Sequence, residues 1–246
     1  MISDQALKKA NILIIVVLVV YLASMLIYPW FDGGFSWDYV HSVWYTWQAL
    51  NVGVLAFASS LIAFNISAYN AEKKRGRDFL AERALLPQAL SDLCMYLERS
   101  APLLLEAYGR ASRANEGPLE SELPMLPMTF VPVFQSCIRT AEPKVGDSLA
   151  IILSELQVHS SRLESVHKSF STSSPNIHSK NTYKSFLYSL AVIRARVNNL
   201  FDFARGEGTF EGNALTAGQV LSMYKALDIY PELVDDLEGF TIRSLS

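Results

Sequence analysis

Glu155, His159 and Arg162 are the residues of this sequence whose types and spacing come closest to a chemistry. Residues three and four apart share one face of a helix. An imidazole with a carboxylate one turn before it and a guanidinium nearly one turn after it has the parts of a general base. The same position has a plainer use, because His159 falls on the apolar stripe of its segment. A lone buried imidazole is ordinarily hydrogen-bonded across a helical core, and that is the role expected here. His167, two turns on, could share a metal only with a ligand from elsewhere. Arg194, Arg196, Asp202 and Arg205 decorate the next segment. Arg196 could pair with a carboxylate across the helices or hold an anion, although a solvated face accounts for such charges more simply.

Nothing else carries a reaction signature. The sequence has neither GxxxxGK[ST] nor GxGxxG, no GxSxG, no HExxH and no Cys/His set at metal-ligand spacing. Cys94 and Cys137 lie far apart without a CxxC pair and read as reduced thiols packed as small apolar residues. No catalytic residue, no cofactor and no metal ligand is therefore assigned, and an enzyme ranks below the binding classes.

The elements that would position these residues are helical. Leu86, Leu90, Leu93 and Leu97 recur at four, three and four. Pro87 and Pro102 lie in the same stretch, each starting a new helix or kinking a continuing one. Residues 114–132 hold Pro118, Pro124, Pro127 and Pro132 among several acids and are expected to be a loop. Within it 128–134, "MTFVPVF", is the one tempting strand, and Pro132 argues against it. Val145, Leu149, Ile152, Leu156, His159, Leu163, Val166 and Phe170 then alternate at four and three. A polar loop near 171–181 follows. The alternation resumes with Tyr183, Phe186, Leu190, Ile193, Val197, Leu200 and Ala204, and Gly206 and Gly208 stop it. Thr216 is placed to cap a short helix running to Leu227. Helices with such stripes close an antiparallel bundle over 71–246.

The front of the chain is different in kind. No charged residue occurs between Lys9 and Asp32, nor between Asp38 and Glu72, although the chain carries 21 Lys and Arg and 24 Asp and Glu in all. Each void holds about 20 mostly apolar residues, enough to cross about 30 Å of hydrocarbon. In lipid the backbone must satisfy itself, so both runs are expected to be helices, spanning about 12–30 and 43–68. A cleavable leader is the weaker reading of the first run, which is long and ends in bulky residues. Lys8 and Lys9 precede the first run, and Lys73, Lys74, Arg75 and Arg77 follow the second. The connection between the runs has only Asp32 and Asp38. Basic flanks stay in the cytoplasm, so both termini are expected inside. The same basic residues are suited to anionic lipid headgroups. Tyr28, Trp30, Trp37, Trp44, Tyr45 and Trp47 gather at the outer boundary, where amphipathic rings settle.

Inside the second run Thr46, Ala49, Gly53, Ala56, Ser60, Ala63 and Ser67 recur at three and four. Small residues let backbones approach closely in lipid. Bulky residues of the first run are expected to fill this seam, with a neighbouring subunit as the alternative; Ala58 lies off it. Gln48, Asn51 and Asn65 are expected to hydrogen-bond between helices.

The sequence thus predicts an all-α protein, with a transmembrane hairpin in 1–70 and a cytosolic helical domain in 71–246. The bilayer is its first partner, and a protein partner or a second copy through the second run is the next. A net charge of −3 without a basic stripe does not suggest a nucleic-acid partner, and none is expected. The expected location is a bacterial inner membrane. The expected function is a membrane-anchored interaction protein: a scaffold, a sensor or a complex subunit. The rival is an effector whose spans oligomerise and permeabilise the bilayer when the cytosolic domain is triggered.

Overall fold

The computed structural model describes residues 4–113, 117–171, 179–212 and 214–245. Among them the chain is all-helical, with no strand. It divides into two compact units, Met1–Ala71 and Glu72–Ser246.

In the first unit, α1 (Asp4–Leu22) runs into a π turn (Ala23–Ile27) and then α2 (Tyr28–Asp32). Gly33, Gly34 and Phe35 reverse the chain, the last two at φ +59° and +64°. Gly33 is required by contact rather than by φ, since a Cβ there would collide with the ring of Tyr39. The Tyr39 hydroxyl closes the turn by donating to Asp32 at 2.7 Å. α3 (Trp37–Thr46) follows, breaks at Trp47, and α4 (Gln48–Arg113) begins. The run expected over 43–68 is therefore interrupted, with Thr46 on α3 and the remaining seam residues on α4. Two stretches, Ile14–Asp32 and Gln48–Ala111, contain windows long and apolar enough to cross a membrane by length and composition. Only 6% and 0% of those windows are buried inside the protein, so neither window lies in its core, although the later part of the second stretch does.

In the second unit the helices share one apolar core. The Leu86, Leu90, Leu93 and Leu97 stripe of α4 is fully buried there. Each buried leucine contributes about 1.5–3 kcal/mol relative to an exposed one. Pro87 and Pro102 lie inside α4 without ending it. The expected loop over 114–132 is shorter than the prolines suggested. α5 (Phe130–Thr140) takes up its end, because Pro132 sits in a first turn, where a missing N–H costs nothing. "MTFVPVF" is thus largely helix, and Phe130 and Phe134 are fully buried.

α6 (Pro143–Ser171) buries every residue of its predicted stripe, His159 included. The polar loop near 171–181 falls mostly on 172–178, outside the described residues, and α7 (Lys180–Asn198) starts within its end. α7 and α8 (Phe201–Arg205) bury the next stripe, apart from half-buried Phe186. Gly206 closes α8 in the left-handed region at φ +79°. Thr216 caps α9 (Ala217–Ala226) through a reciprocal capping box with Gln219. A 3₁₀ turn (Pro231–Leu233) and α10 (Leu237–Leu245) complete the unit. There Tyr224 and Thr241 bond each other's hydroxyls at 2.6 Å inside the core.

Candidate functional site

The α6 register turns His159 inward, and its ring meets Tyr96 of α4 edge-on at 6.0 Å and 84°. It is 3% exposed, and its Nε2 has no hydrogen-bond partner among the described residues. Burial, with Arg162 adding to it, lowers its pKa to about 4, so the imidazole is neutral near pH 7. Glu155 does not turn to it. Its carboxylate pairs with Arg196 of α7 at 3.2 Å. Burial raises the Glu155 pKa against the opposing pull of Arg196. Arg162 lies over the Phe186 ring at 5.0 Å. The trio that spacing suggested is therefore split among three different partners. A neutral imidazole sealed from solvent, with its carboxylate neighbour committed to an arginine, packs a core rather than moving protons. On the Nε2 side the core contact of His159 is the ring of Tyr96 rather than a hydrogen bond.

Nearby charges follow the same pattern. Arg194 reaches Glu98 of α4 at 3.5 Å, and both ion pairs tie α7 to its neighbours. Cys94 and Cys137 are buried free thiols, and burial pushes both up to about 11, which keeps them unreactive. Among the described residues no group of three or more His, Cys, Asp or Glu is placed to hold a metal ion.

Sequence spacing missed a cleft of about 690 Å³ in the second unit. Its floor is the α4 face bearing Asp92, Met95, Tyr96 and Arg99, and its roof is the strap over 121–127. The strap is held at one end by Glu106, whose carboxylate accepts from the backbone N–H groups of Glu120 and Ser121, both at 2.8 Å. Arg110 completes the clasp at 2.6 Å from Glu106 and donates to the Gly117 carbonyl at 3.0 Å. Burial raises the Glu106 pKa, but the Glu120 and Ser121 bonds and Arg110 outweigh it and hold it down to about 2. At the other end Thr129 reaches Asp92 at 3.3 Å. No periodicity marks a side chain that caps a loop 14 and 15 residues on.

In the first unit the seam does not face α1. Ala49, Gly53, Ala56, Ser60, Ala63 and Ser67 are all exposed, and a Cβ on Gly53 would meet nothing within 4 Å. The half-buried face of α4 carries Asn51, Val54, Ala58 and Leu61 instead. Ala58, which the spacing placed off the seam, lines a crevice of about 250 Å³ with Ile14, Ile15 and Leu18 of α1. The physical reason is Asn51. Its side-chain oxygen accepts a short hydrogen bond from the Tyr21 hydroxyl, and an unpaired amide in apolar surroundings is costly. That bond fixes the rotation of α4 and turns the small residues outward. Thr46 and Ser60 satisfy their hydroxyls on carbonyls of their own helices, at 2.8 and 2.9 Å.

The basic residues divide as well. Lys73, Lys74, Arg75 and Arg77 are exposed on α4, where Arg75 pairs with Glu72 at 3.0 Å. The side chains of Lys8 and Lys9 lie outside the described residues. Comparison with protein-family models, curated proteins and solved structures finds no match.

Proposed function

We propose that this chain is a membrane-anchored helical interaction protein, whose two apolar runs form a transmembrane hairpin. In this reading both termini lie in the cytoplasm of a bacterial cell, and the second unit is a cytosolic antiparallel bundle that meets a protein partner. One observation carries it. Ile15, Val16, Val17, Val19 and Val20 on one run, and Val52, Leu55, Phe57, Ile62 and Phe64 on the other, are all more than half exposed. Water would exact a hydrophobic cost for every one of them, whereas lipid would not. Alkaline carbonate washing of membranes tests the reading. The chain should stay in the pellet and leave only with detergent; release by carbonate alone would overturn it.

The outward-facing seam favours the rival reading, an effector whose spans associate and leak ions. Overexpression of the full chain separates the two. Depolarisation of the host membrane supports the effector, and unchanged potential with a co-purifying partner supports the scaffold.

A further inference from the structure

Pro29 sets a problem for the first apolar run. In an α-helix the carbonyl of Met25 would accept the N–H of residue 29, but proline has none, and its ring crowds that carbonyl. The chain widens at this point into the π turn, where the N–H of Tyr28 reaches back five residues to the Ala23 carbonyl. The donor that proline lacks comes from another helix. The indole Nε1–H of Trp44, on α3, donates to the Met25 carbonyl at 2.8 Å. Trp44 in turn stacks edge-on with Trp37 at 6.2 Å, and Trp37 lies 5.9 Å from Trp30 on α2. One turn before Met25, the Tyr21–Asn51 bond joins α1 to α4.

π turns interrupt the ladder of a helix, and a side chain inserted at the interruption holds its geometry. We propose that the π turn is a hinge in the first run, and that the Trp44–Met25 hydrogen bond is the latch that closes the 28–46 cap onto it. Pro29 makes the latch necessary, and Trp44 supplies it. With the latch made, the Tyr21–Asn51 bond and the tryptophan stack hold the two sides of the hinge in one arrangement. With it broken, the Met25 carbonyl lacks its donor, and the cap is free to swing about Ala23–Ile27. In the spanning reading, on which its biological use rests, this hinge would couple the outer connection to the packing of the spans.

The latch makes a coupling prediction that simple ring packing does not. Trp44→Phe keeps an aromatic ring and removes the donor, whereas Pro29→Ala restores the backbone N–H that Met25 lacks. Hydrogen exchange of peptides covering 21–33 is compared in the full chain in detergent, for wild type, each single variant and the double variant. Trp44→Phe alone should speed exchange there about tenfold, the size expected for one net hydrogen bond. In the Pro29→Ala background the same change should have less than about a twofold effect, because the missing donor is back. Equal acceleration in both backgrounds, or none in either, would overturn the latch. If Trp44→Phe fails to fold while the double variant folds, the proposal stands; if neither folds, Trp44 acts through its ring and the proposal falls. This readout does not depend on where the chain resides. Release of wild type by carbonate would remove the spanning reading and leave the latch intact, and loss of the coupling would do the reverse.

Discussion

Protonating His159 costs the folded chain more than the unfolded one, because the imidazole is sealed against Tyr96 with Arg162 nearby. Its folded pKa of about 4 lies below the ordinary 6.5, so between those values the unfolded chain binds more protons. Stability should therefore be complete above about pH 6.5 and fall as pH drops towards 4, by at most about 3 kcal/mol from this residue. His159→Leu should abolish that slope while leaving the fold intact. Urea unfolding of the full chain in detergent at pH 7 and pH 5 checks this; an unchanged slope in the variant would place the acid sensitivity elsewhere. Glu106 has a separate window. Its pKa is lowered from 4.5 to about 2, so its stabilisation is present above about 4.5 and lost as pH falls through 2. Glu106→Gln keeps the shape but weakens the clasp, so limited proteolysis within 117–129 should accelerate several-fold at pH 7. At this scale the sequence was half legible. The burial of His159 followed from its place in the stripe, but the partners of Glu155 and Arg162 depend on which helices lie beside α6. Spacing along one helix cannot supply that.

Among the elements, legibility follows the strength of the periodic signal. The α6 stripe was readable in full, because eight apolar-face positions admit one helical register and bury together. The Thr216 cap was readable because its chemistry is local. Proline misled at Pro132, which opens α5 rather than extending a loop, whereas Pro87 and Pro102 sit inside α4, the continuing-helix alternative of the two that the sequence left open. A proline's effect depends on its position within a turn, which the sequence does not mark. The face that α4 turns towards α1 was not legible for another reason. Small residues say that a face can approach something closely, whereas a single polar pair, Tyr21 with Asn51, decides which face turns inward. The outward-facing seam has a direct test. Gly53→Leu and Ala56→Leu add bulk to an exposed face and should cut crosslinked dimer several-fold if a second copy packs there. Ala58→Leu adds the same volume as Ala56→Leu, but beside the crevice with α1, and should leave the dimer yield unchanged. Equal yields for all three variants would remove the seam as a contact between copies.

At the scale of the whole molecule, the charge distribution and the two units tell one story from independent directions. Most of the exposed large apolar side chains belong to the unit Met1–Ala71, and the shared apolar core belongs to Glu72–Ser246. A solvent that accepts bare valine and isoleucine suits the first, and water suits the second. In the proposed spanning reading the lysines and arginines would set orientation, since positive flanks resist translocation far more than acidic ones. Lys73, Lys74, Arg75 and Arg77 stand on α4 just beyond its apolar start, and the Gly33–Gly34 turn has only acidic residues beside it. A reporter active only in the cytoplasm should therefore work when fused after Ser246 and fail when inserted at the Gly33–Gly34 turn. Replacing Lys73, Lys74, Arg75 and Arg77 with glutamine removes most of the bias next to the spans, leaving Lys8 and Lys9 before the first run. Mixed orientation should then appear, read as reporter activity at both positions. The opposite pattern in the unaltered chain, active at the turn and silent after Ser246, would show that charge does not set its orientation.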